Sequence, residues 1–401
     1  MLIVQKFGGS SVADASRIKR VAGIIAETYK KGNQVVVVLS APGDMTDDLL
    51  ERANEVNPNG SKREMDMLLA TGEQQSIALC AMALEDLGVP AVSLTGWQAG
   101  ISTTTQFGNA RIRDIKAERL HTELDKNRVI LVAGFQGITK TMEITTIGRG
   151  GSDTTAVALA AALKADLCRI YTDVDGVYTA DPRVVPTAHK LDEITYDEML
   201  ELASMGAKVL HNRSVELARK YSVKLEVLSS FTKNPGTIVK EKVKMEETKI
   251  SGIAKDGDIA RVALVGLRDE PGVAFKIFRL MAARKINVDI ILQSIGRDNS
   301  KDISFTVQKS DLKAVKEALE EQTEEIGFKK LDVSSTLCKV SIVGAGMINN
   351  SGIAAQMFEA LFESHINIHM ISTSEIKVSV LIDDVNADIA MKAIHRKFFG
   401  E

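Results

Sequence analysis

From residue 262 onward the chain repeats itself, and a repeat restricts the possible folds more than any single motif does. Pro271-Gly272-Val273-Ala274 is followed by Lys285-Ile286-Asn287-Val288, and Ser351-Gly352-Ile353-Ala354 is followed by His365-Ile366-Asn367-Ile368. Gly272 and Gly352 are 80 residues apart, as are Asn287 and Asn367, so the two copies stay in register. Each copy reads as a strand, a helix opened by glycine, an Ile-Asn turn and a strand. A further strand (303–307; 376–382) and a closing helix (311–320; 386–399) follow. That is a small βαββαβ unit written twice.

The first 240 residues follow a different rule. Residues 2–4, 34–39, 129–133 and 168–172 are short apolar runs that read as strands, and 34–39 carries an unbroken Val run suited to burial on both faces. Between them lie segments of helical period, such as Val12, Ala15, Ile18, Val21 and Ile25. A helix over 73–87 is expected behind a Thr71-x-x-Gln74 capping box, closed by Gly88 with Pro90 beyond. Buried strands alternating with helices predict an α/β domain with a largely parallel sheet. Residues 240–248 are rich in Lys and Glu and read as a linker or domain edge.

Length and charge limit the functional classes. A chain of 401 residues suggests two or three domains. The 50 Lys and Arg nearly offset the 53 Asp and Glu, which argues against a nucleic-acid or anionic-membrane binder but leaves room for a local anion pocket. Cys80, Cys168 and Cys338 have no metal-ligand spacing and sit among apolar neighbours, so they are expected to be buried and inert. No apolar run is long enough to span a membrane, and Lys6 falls too early for a signal peptide, so a soluble cytoplasmic protein is expected.

Three segments carry chemistry. Lys6-Phe7-Gly8-Gly9-Ser10-Ser11 lies between the first strand and the first helix. Its glycines let backbone N–H groups approach a phosphate, and Lys6 can bring a full charge to the same anion. Taken by itself, a glycine pair after a strand is more often a plain tight turn, and the P-loop pattern is absent. Gly148-Arg149-Gly150-Gly151-Ser152-Asp153-Thr154-Thr155 runs into an Ala-rich helix over 156–163, with Ser, Asp and Thr as cap candidates. An Arg beside glycines suits bidentate capture of a carboxylate or phosphate. The third run, from Tyr171 to Arg183, contains Asp175-Gly176, read as a hairpin turn, and Asp181-Pro182, read as the start of a loop.

In this order and spacing, KFGGSS, GRGGSDTTA and YTDVDGVYTADPR resemble the aspartokinases of the amino-acid kinase family, and the trailing repeat resembles paired ACT domains. The resemblance covers essentially the whole chain. It implies a catalytic domain over 1–245, a first ACT unit over 262–335, and a second built from 250–260 plus 338–401. The implied fold is an amino-acid-kinase sheet sandwiched by helices, followed by two ferredoxin-like units.

The implied activity is ATP-dependent phosphorylation of the L-aspartate β-carboxylate, the first step towards lysine, threonine and methionine, with feedback regulation through the ACT units. By resemblance Lys6, Asp153 and Lys208 are catalytic. Phe7, Gly8, Gly9, Ser10, Ser40 and Ser152 would surround the ATP phosphates. Thr172, Asp173, Tyr178, Thr179, Ala180, Asp181, Pro182 and Arg183 would line the nucleotide. Thr46, Glu73, Arg149, Gly150, Gly151 and Ser152 would hold aspartate, with Arg149 on a carboxylate and Glu73 on the ammonium. No carboxylate set dedicated to a metal is apparent, so Mg²⁺ is expected to be held mainly by ATP.

A regulatory lysine or threonine would bind between ACT units, near Asp269, Gly272, Val273, Asn287, Asp289 and Gln293, and ACT contacts imply a homo-oligomer. Two rival readings remain at this stage. One is a kinase of the same fold acting on glutamate, acetylglutamate or a nucleotide; the other is an amino-acid sensor with an inactive kinase domain.

Overall fold

A computed structural model describes residues 1–204, 209–243, 250–295, 300–348 and 350–400. Lys208 lies outside these. The chain divides into two compact units, one of Met1–Thr179 with His189–Met245 and the other of Ala180–Ala188 with Glu246–Glu401.

The N-terminal unit begins with β1 (Leu2–Phe7), α1 (Ala15–Lys30), β2 (Gln34–Leu39), α2 (Met45–Val56), α3 (Lys62–Leu69) and α4 (Thr71–Asp86). It continues through β3 (Ala91–Leu94), β4 (Ile101–Thr103), β5 (Ile112–Ile115), α5 (Glu118–Asp125), β6 (Val129–Ala133), β7 (Gln136–Ile138) and β8 (Ile144–Thr146). Then come α6 (Gly151–Leu163), β9 (Leu167–Thr172), β10 (Glu193–Thr195), α7 (Tyr196–Ser204), α8 (Asn212–Tyr221), β11 (Leu225–Ser229) and β12 (Thr237–Lys240).

The main sheet has the order β10-β12-β11-β9-β1-β2-β6-β3, and only the β11–β12 pair is antiparallel. A smaller sheet, β5-β4-β7-β8, accompanies it. Both faces of the main sheet are covered, which explains why β2 and β6 read as continuous apolar runs rather than alternating ones. Val35, Val37 and Leu39 pack with Ile18, Val21 and Ile25 of α1 and Ile77, Cys80 and Leu84 of α4. Each such buried aliphatic side chain contributes about 1.5–3 kcal/mol. The Ala-rich α6 packs on β1, β2 and β9 and against α8, where small side chains permit close approach.

Three local expectations differ from the structure. Gly8-Gly9 leads into a single 3₁₀ turn, Gly9–Ser11, and α1 starts only at Ala15 with Asp14 as its cap. No capping box opens α4: Thr71 Oγ1 donates to the Leu68 carbonyl and Gln74 Nε2 to the Ala70 carbonyl. Because only Ala70 separates α3 from α4, the carbonyls at the end of α3 compete for those side chains. Asp175-Gly176 is a bend, not a hairpin turn, since the Asp175 carboxylate accepts from Thr232 Oγ1 and Asn234 Nδ2 across the unit.

In the C-terminal unit one six-stranded sheet serves both copies of the repeat. Its elements are β13 (Gly252–Arg268), α9 (Val273–Ala283), β14 (Ile291–Ile295), β15 (Ser300–Val307), α10 (Leu312–Glu321), α11 (Thr323–Ile326) and β16 (Lys330–Val343). They are followed by α12 (Ile353–Glu363), β17 (Met370–Ser374), β18 (Lys377–Asp383) and α13 (Ala387–Phe399). The order is β14-β15-β13-β16-β18-β17.

The long strands β13 and β16 are antiparallel, so each contributes one half to each copy: Ala263 pairs with Asp332 in the first and Gly252 with Val343 in the second. The first core gathers Val262, Leu264, Ile277, Met281 and Phe305. The second gathers Ile253, Val340, Ile342, Met357, Leu361 and Ile394, joined by Ala180 and Val185. That burial is why the nine-residue excursion Ala180–Ala188 groups with this unit, while its two ends are tied where Thr179 N donates to the His189 carbonyl. Cys80, Cys168 and Cys338 are buried free thiols, as expected, and burial raises the pKa of each above the usual thiol value.

Candidate active site

Several loops converge at the carboxyl ends of β1, β2, β6 and β9, where ligands bind in open parallel sheets. Gly9 O accepts from Gly43 N at 3.0 Å, and Ser40 N donates to Phe7 O at 3.2 Å, so the β1 and β2 ends are joined. A Cβ on Gly9 would come 2.8 Å from the Ala41 carbonyl, which is why glycine is needed there. Beyond β9, Thr172 O accepts from Ser230 N at 3.1 Å, and the Ser230 and Ser11 hydroxyls lie 2.8 Å apart.

The head of α6 sits over these ends. Gly150 is its N-cap residue, in the left-handed conformation (φ 69°) and with no side-chain cap. The helix therefore starts five residues earlier than its Ala run suggests, and Ser152, Asp153 and Thr154 are first-turn residues rather than caps. Thr154 and Thr155 hydroxyls turn back onto the Gly150 and Gly151 carbonyls. Ser152 packs just beyond the end of β6, where a Cβ at Gly134 would meet its Oγ at 2.6 Å. First-turn amides without a cap, together with the helix dipole, favour an anion at this point.

Lys6 reaches α6 from the end of β1. Its Nζ lies 2.6 Å from Asp153 Oδ1, and the two side chains are only 12% and 13% exposed. A Cβ added to Gly8 would be 3.5 Å from the same Nζ. The ammonium is thus held by one carboxylate beside a bare stretch of backbone, a geometry suited to receiving a phosphoryl group.

Glu73, in the first turn of α4, is buried. Its Oε1 accepts from Ala41 N at 3.3 Å, and its Oε2 has no partner among the described residues. Burial pushes its pKa up to about 8. A buried acceptor without a donor is costly unless a ligand supplies one, and a ligand ammonium would do so. Thr46 is half-buried at the start of α2, and Arg149 is exposed between Gly148 and Gly150. His211 caps α8, its Nδ1 accepting from Arg213 N, and burial lowers its pKa.

The remaining nucleotide candidates divide between the units. Thr172 ends β9, Asp173 is exposed, Tyr178 bridges to Lys190, and Thr179 is buried. Ala180, Asp181, Pro182 and Arg183 belong to the C-terminal unit, where Arg183 pairs with Asp181 at 2.8 Å.

The first repeat copy carries a pocket of about 200 Å³. Among the expected effector residues Gly272, Val273 and Gln293 line it, together with Arg268, Glu270 and Lys301. Asp269 is tied to the wall by a 2.6 Å ion pair with Lys301. Asn287 is exposed and Asp289 pairs with Lys339 of β16, and neither lines the pocket. Arg268 and Lys301 on strands and Glu270 in the loop after β13 escaped the sequence reading because a lone charge carries no sign of the pocket it faces.

Residues 1–229 match the amino acid kinase family, and residues 262–322 and 340–398 match ACT domains. The chain is 53% identical over 403 residues to an aspartokinase of Mycolicibacterium smegmatis, spanning 99% of this chain and 96% of that one. It is 52% identical over 400 residues to an aspartokinase of Geobacillus stearothermophilus, with 99% and 97% covered. Among solved structures, E. coli aspartokinase III in complex with aspartate and ADP matches with a TM-score of 0.84 at 26% identity, covering 100% of both chains. With a nucleotide-using kinase unit, a doubled ACT unit and identity on this scale along nearly the whole chain, this protein belongs to the aspartokinases and is an aspartate kinase.

Proposed function

We propose that the chain moves the γ-phosphoryl group of MgATP onto the β-carboxylate of L-aspartate, forming 4-phospho-L-aspartate and ADP on the route to lysine, threonine and methionine. The observation that carries this reading is the desolvated Lys6–Asp153 pair at the uncapped head of α6. The reaction needs no general base, because the β-carboxylate is already ionised at neutral pH and attacks the γ-phosphorus directly. The transition state is loose, with charge spread over peripheral and bridging oxygens, so catalysis is positioning plus electrostatic stabilisation.

Lys6 stabilises the transferring group while Asp153 aims its ammonium, and Lys208 supplies a second cation. The amides of Gly8, Gly9 and Ser10 and of the α6 head take phosphate oxygens, with Ser40 and Ser152 beside them. Glu73 takes the substrate ammonium, Arg149 a carboxylate, and Thr46 a neighbouring hydrogen bond. Magnesium enters this reading as part of the nucleotide substrate, held mainly by the ATP oxygens.

The first-copy pocket is assigned to a free amino acid such as lysine or threonine. Its walls offer cations for the α-carboxylate (Arg268, Lys301) and an anion for the ammonium (Glu270), with Asp269 adjoining. The strands β14 and β17 are the two edges of the shared sheet and expose Ile291, Leu292 and Ile371, which supports pairing with a second copy. Three buried free thiols suit a cytoplasmic enzyme, and among the described residues no helix is long and apolar enough to cross a membrane.

The test is ADP release in the presence of MgATP and a panel of aspartate, glutamate, acetylglutamate and a nucleoside monophosphate. Turnover on aspartate alone supports the reading. Turnover on another acceptor only, or none at all, removes it.

A further inference from the structure

Arg149 is exposed and stands between two glycines, so its own loop, closed by one turn bond from Gly151 N to the Gly148 carbonyl at 2.9 Å, does not by itself aim the side chain. Gly148 (φ 85°) and Gly150 (φ 69°) are both left-handed, a conformation that glycine enters and leaves at little cost. A bidentate grip on a carboxylate depends on direction, so that direction has to be imposed by the segments on either side. We propose that Asp66 and Arg213 are positioning residues that hold the Arg149 loop in the shape that grips a substrate carboxylate. This rests on the assignment of Arg149 given above.

Asp66 lies on α3, far from the loop in sequence, and is 1% exposed. Its carboxylate accepts from Gly108 N at 3.0 and 2.9 Å, from Thr146 N at 2.9 Å and from Thr146 Oγ1 at 2.7 Å. One buried anion therefore binds two chain segments at once, the loop after β4 and the end of β8. Thr146 is three residues before Arg149. On the same helix, Arg63 Nε donates to Glu143 at 2.8 Å, so α3 grips the approach to the loop at two points.

Arg213, on α8, closes the other side. Its Nη1 donates to the Ile147 carbonyl at 2.7 Å and to Asn109 Oδ1 at 3.2 Å, and its Nη2 donates to the Ala110 carbonyl at 3.0 Å. Those are the residues that neighbour the Asp66 contacts, and the two segments are also joined directly where Ala110 N donates to the Thr146 carbonyl at 2.9 Å. The backbone N–H of Arg213 donates to His211 Nδ1, and the His211 ring fills the space where a Cβ of Gly150 would lie, 2.2 Å from its Cγ. On the far flank, a Cβ at Gly148 would stand 3.2 Å from the Gly108 carbonyl. Both glycines beside Arg149 thus abut groups that Asp66 or Arg213 holds.

Energetics favour a role beyond general scaffolding. Burying a carboxylate is expensive, and Asp66 is compensated by N–H and O–H donors, with no cation paired to it among the described residues. Such donor sets are directional, and they specify geometry more than they add stability. Misplacement of a binding group by a fraction of an ångström is enough to weaken an oriented contact.

The experiment measures KM for aspartate, KM for ATP, kcat and thermal midpoint in Asp66→Asn, Thr146→Val, Thr146→Ser, Arg213→Lys and Arg149→Lys. Asp66→Asn is nearly isosteric but turns an N–H₂ group against N–H donors. It is expected to raise KM for aspartate by about tenfold or more while KM for ATP stays at the parent value. Thr146→Val, which removes one hydroxyl donor, shifts KM in the same direction by less, and Thr146→Ser restores it. Thr146→Val also keeps the test intact if Asp66→Asn fails to fold. Lower thermal midpoints with both KM values unchanged, or with both rising together, would mean a purely structural role and overturn the proposal. If Arg149→Lys raises KM for aspartate while the Asp66 and Thr146 variants do not, the positioning role alone falls. If Arg149→Lys leaves KM for aspartate unchanged, the assignment of Arg149 falls and takes this proposal with it.

Discussion

In the N-terminal unit α6 begins on a left-handed glycine with no side-chain cap, Gly150, and in the C-terminal unit α9 begins the same way on Gly272, as does α12 on Gly352. The backbone device is the same and the surroundings are opposite. At Gly150 a side chain is excluded twice over, by φ and by the His211 ring, whereas nothing lies within 4 Å of a Cβ at Gly272. The charges nearby differ in the same sense. Lys6 and Asp153 beside α6 are 12% and 13% exposed, while Lys301 and Asp269 beside α9 are 31% and 50% exposed. Charges withdrawn from water interact strongly and hold still, which suits a transition state. Charges left in water are screened and exchange partners readily, which suits an effector that must come and go.

The sharpest way to break this comparison is to remove a charge from the desolvated side. Lys6→Ala is expected to lower kcat by about 10²–10³ while circular dichroism shows an intact fold. An unchanged kcat would mean that α6 and its amides suffice without the lysine. Next in size is Gly150→Ala, where the left-handed cost of about 1–2 kcal/mol adds to displacement of His211. Urea unfolding should show a loss larger than that cost alone, with a raised KM for aspartate.

Glu73 belongs to the same desolvated region and supplies a pH test. Its folded pKa of about 8 lies above the usual carboxylate value of 4.5, so folding favours the protonated form. The folded state binds more protons than the unfolded one between those limits, so this contribution to stability is fully present below the lower limit and is lost as pH rises through the upper. Urea midpoints at about pH 6 and about pH 9 should fall in the parent and fall less in Glu73→Gln. Ionised Glu73 is also the form that pairs with an ammonium, so KM for aspartate should drop as pH approaches 8. Identical pH profiles in parent and variant would place Glu73 outside the substrate pocket.

On the solvated side the effects shrink. Asp269 already holds one ammonium, that of Lys301, and an effector ammonium would share or take its place. Asp269→Ala is expected to raise the concentration of lysine or threonine needed for half inhibition by about tenfold, within the usual coupling of 1–3 kcal/mol. Because the pair is exposed, folding stability should change by less than about 1 kcal/mol. Inhibition curves that superimpose with those of the parent would remove Asp269 from the effector site. Of the two glycine changes the smaller in effect is Gly272→Ala, which meets no neighbour and costs only about 1–2 kcal/mol for its backbone angle. A loss equal to that of Gly150→Ala would erase the distinction between the two helix starts.

Much of this molecule was legible in the sequence, and the legible parts share a cause. The strands over 34–39 and 129–133 match β2 and β6 to the residue, because a short apolar run rich in Val and Ile has few other structures open to it. Gly272 and Gly352 were readable as helix starts for a similar reason, since both adopt the left-handed angle that glycine alone takes easily. Lys6 and Arg149 were singled out by their place beside glycines and Asp153 by the resemblance, and the structure pairs Lys6 with Asp153. The failures cluster where a polar side chain had two partners to choose from. Thr71 and Gln74 look like a capping box, yet both donate to carbonyls at the α3–α4 junction. Asp175 looks like a turn residue, yet it accepts from Thr232 and Asn234.

Local covalent geometry and apolar pattern are written into every short stretch of chain, so the sequence by itself determined the alternating α/β unit, the doubled βαββαβ unit and the glycine-opened helices. Hydrogen-bond partners and solvent exposure are not local. The excursion of Ala180 and Val185 into the second core, the raised pKa of Glu73 and the four hydrogen bonds on Asp66 each depend on groups tens of residues away or more generally on burial. Those were decided only when the tertiary structure placed the donors and removed the water.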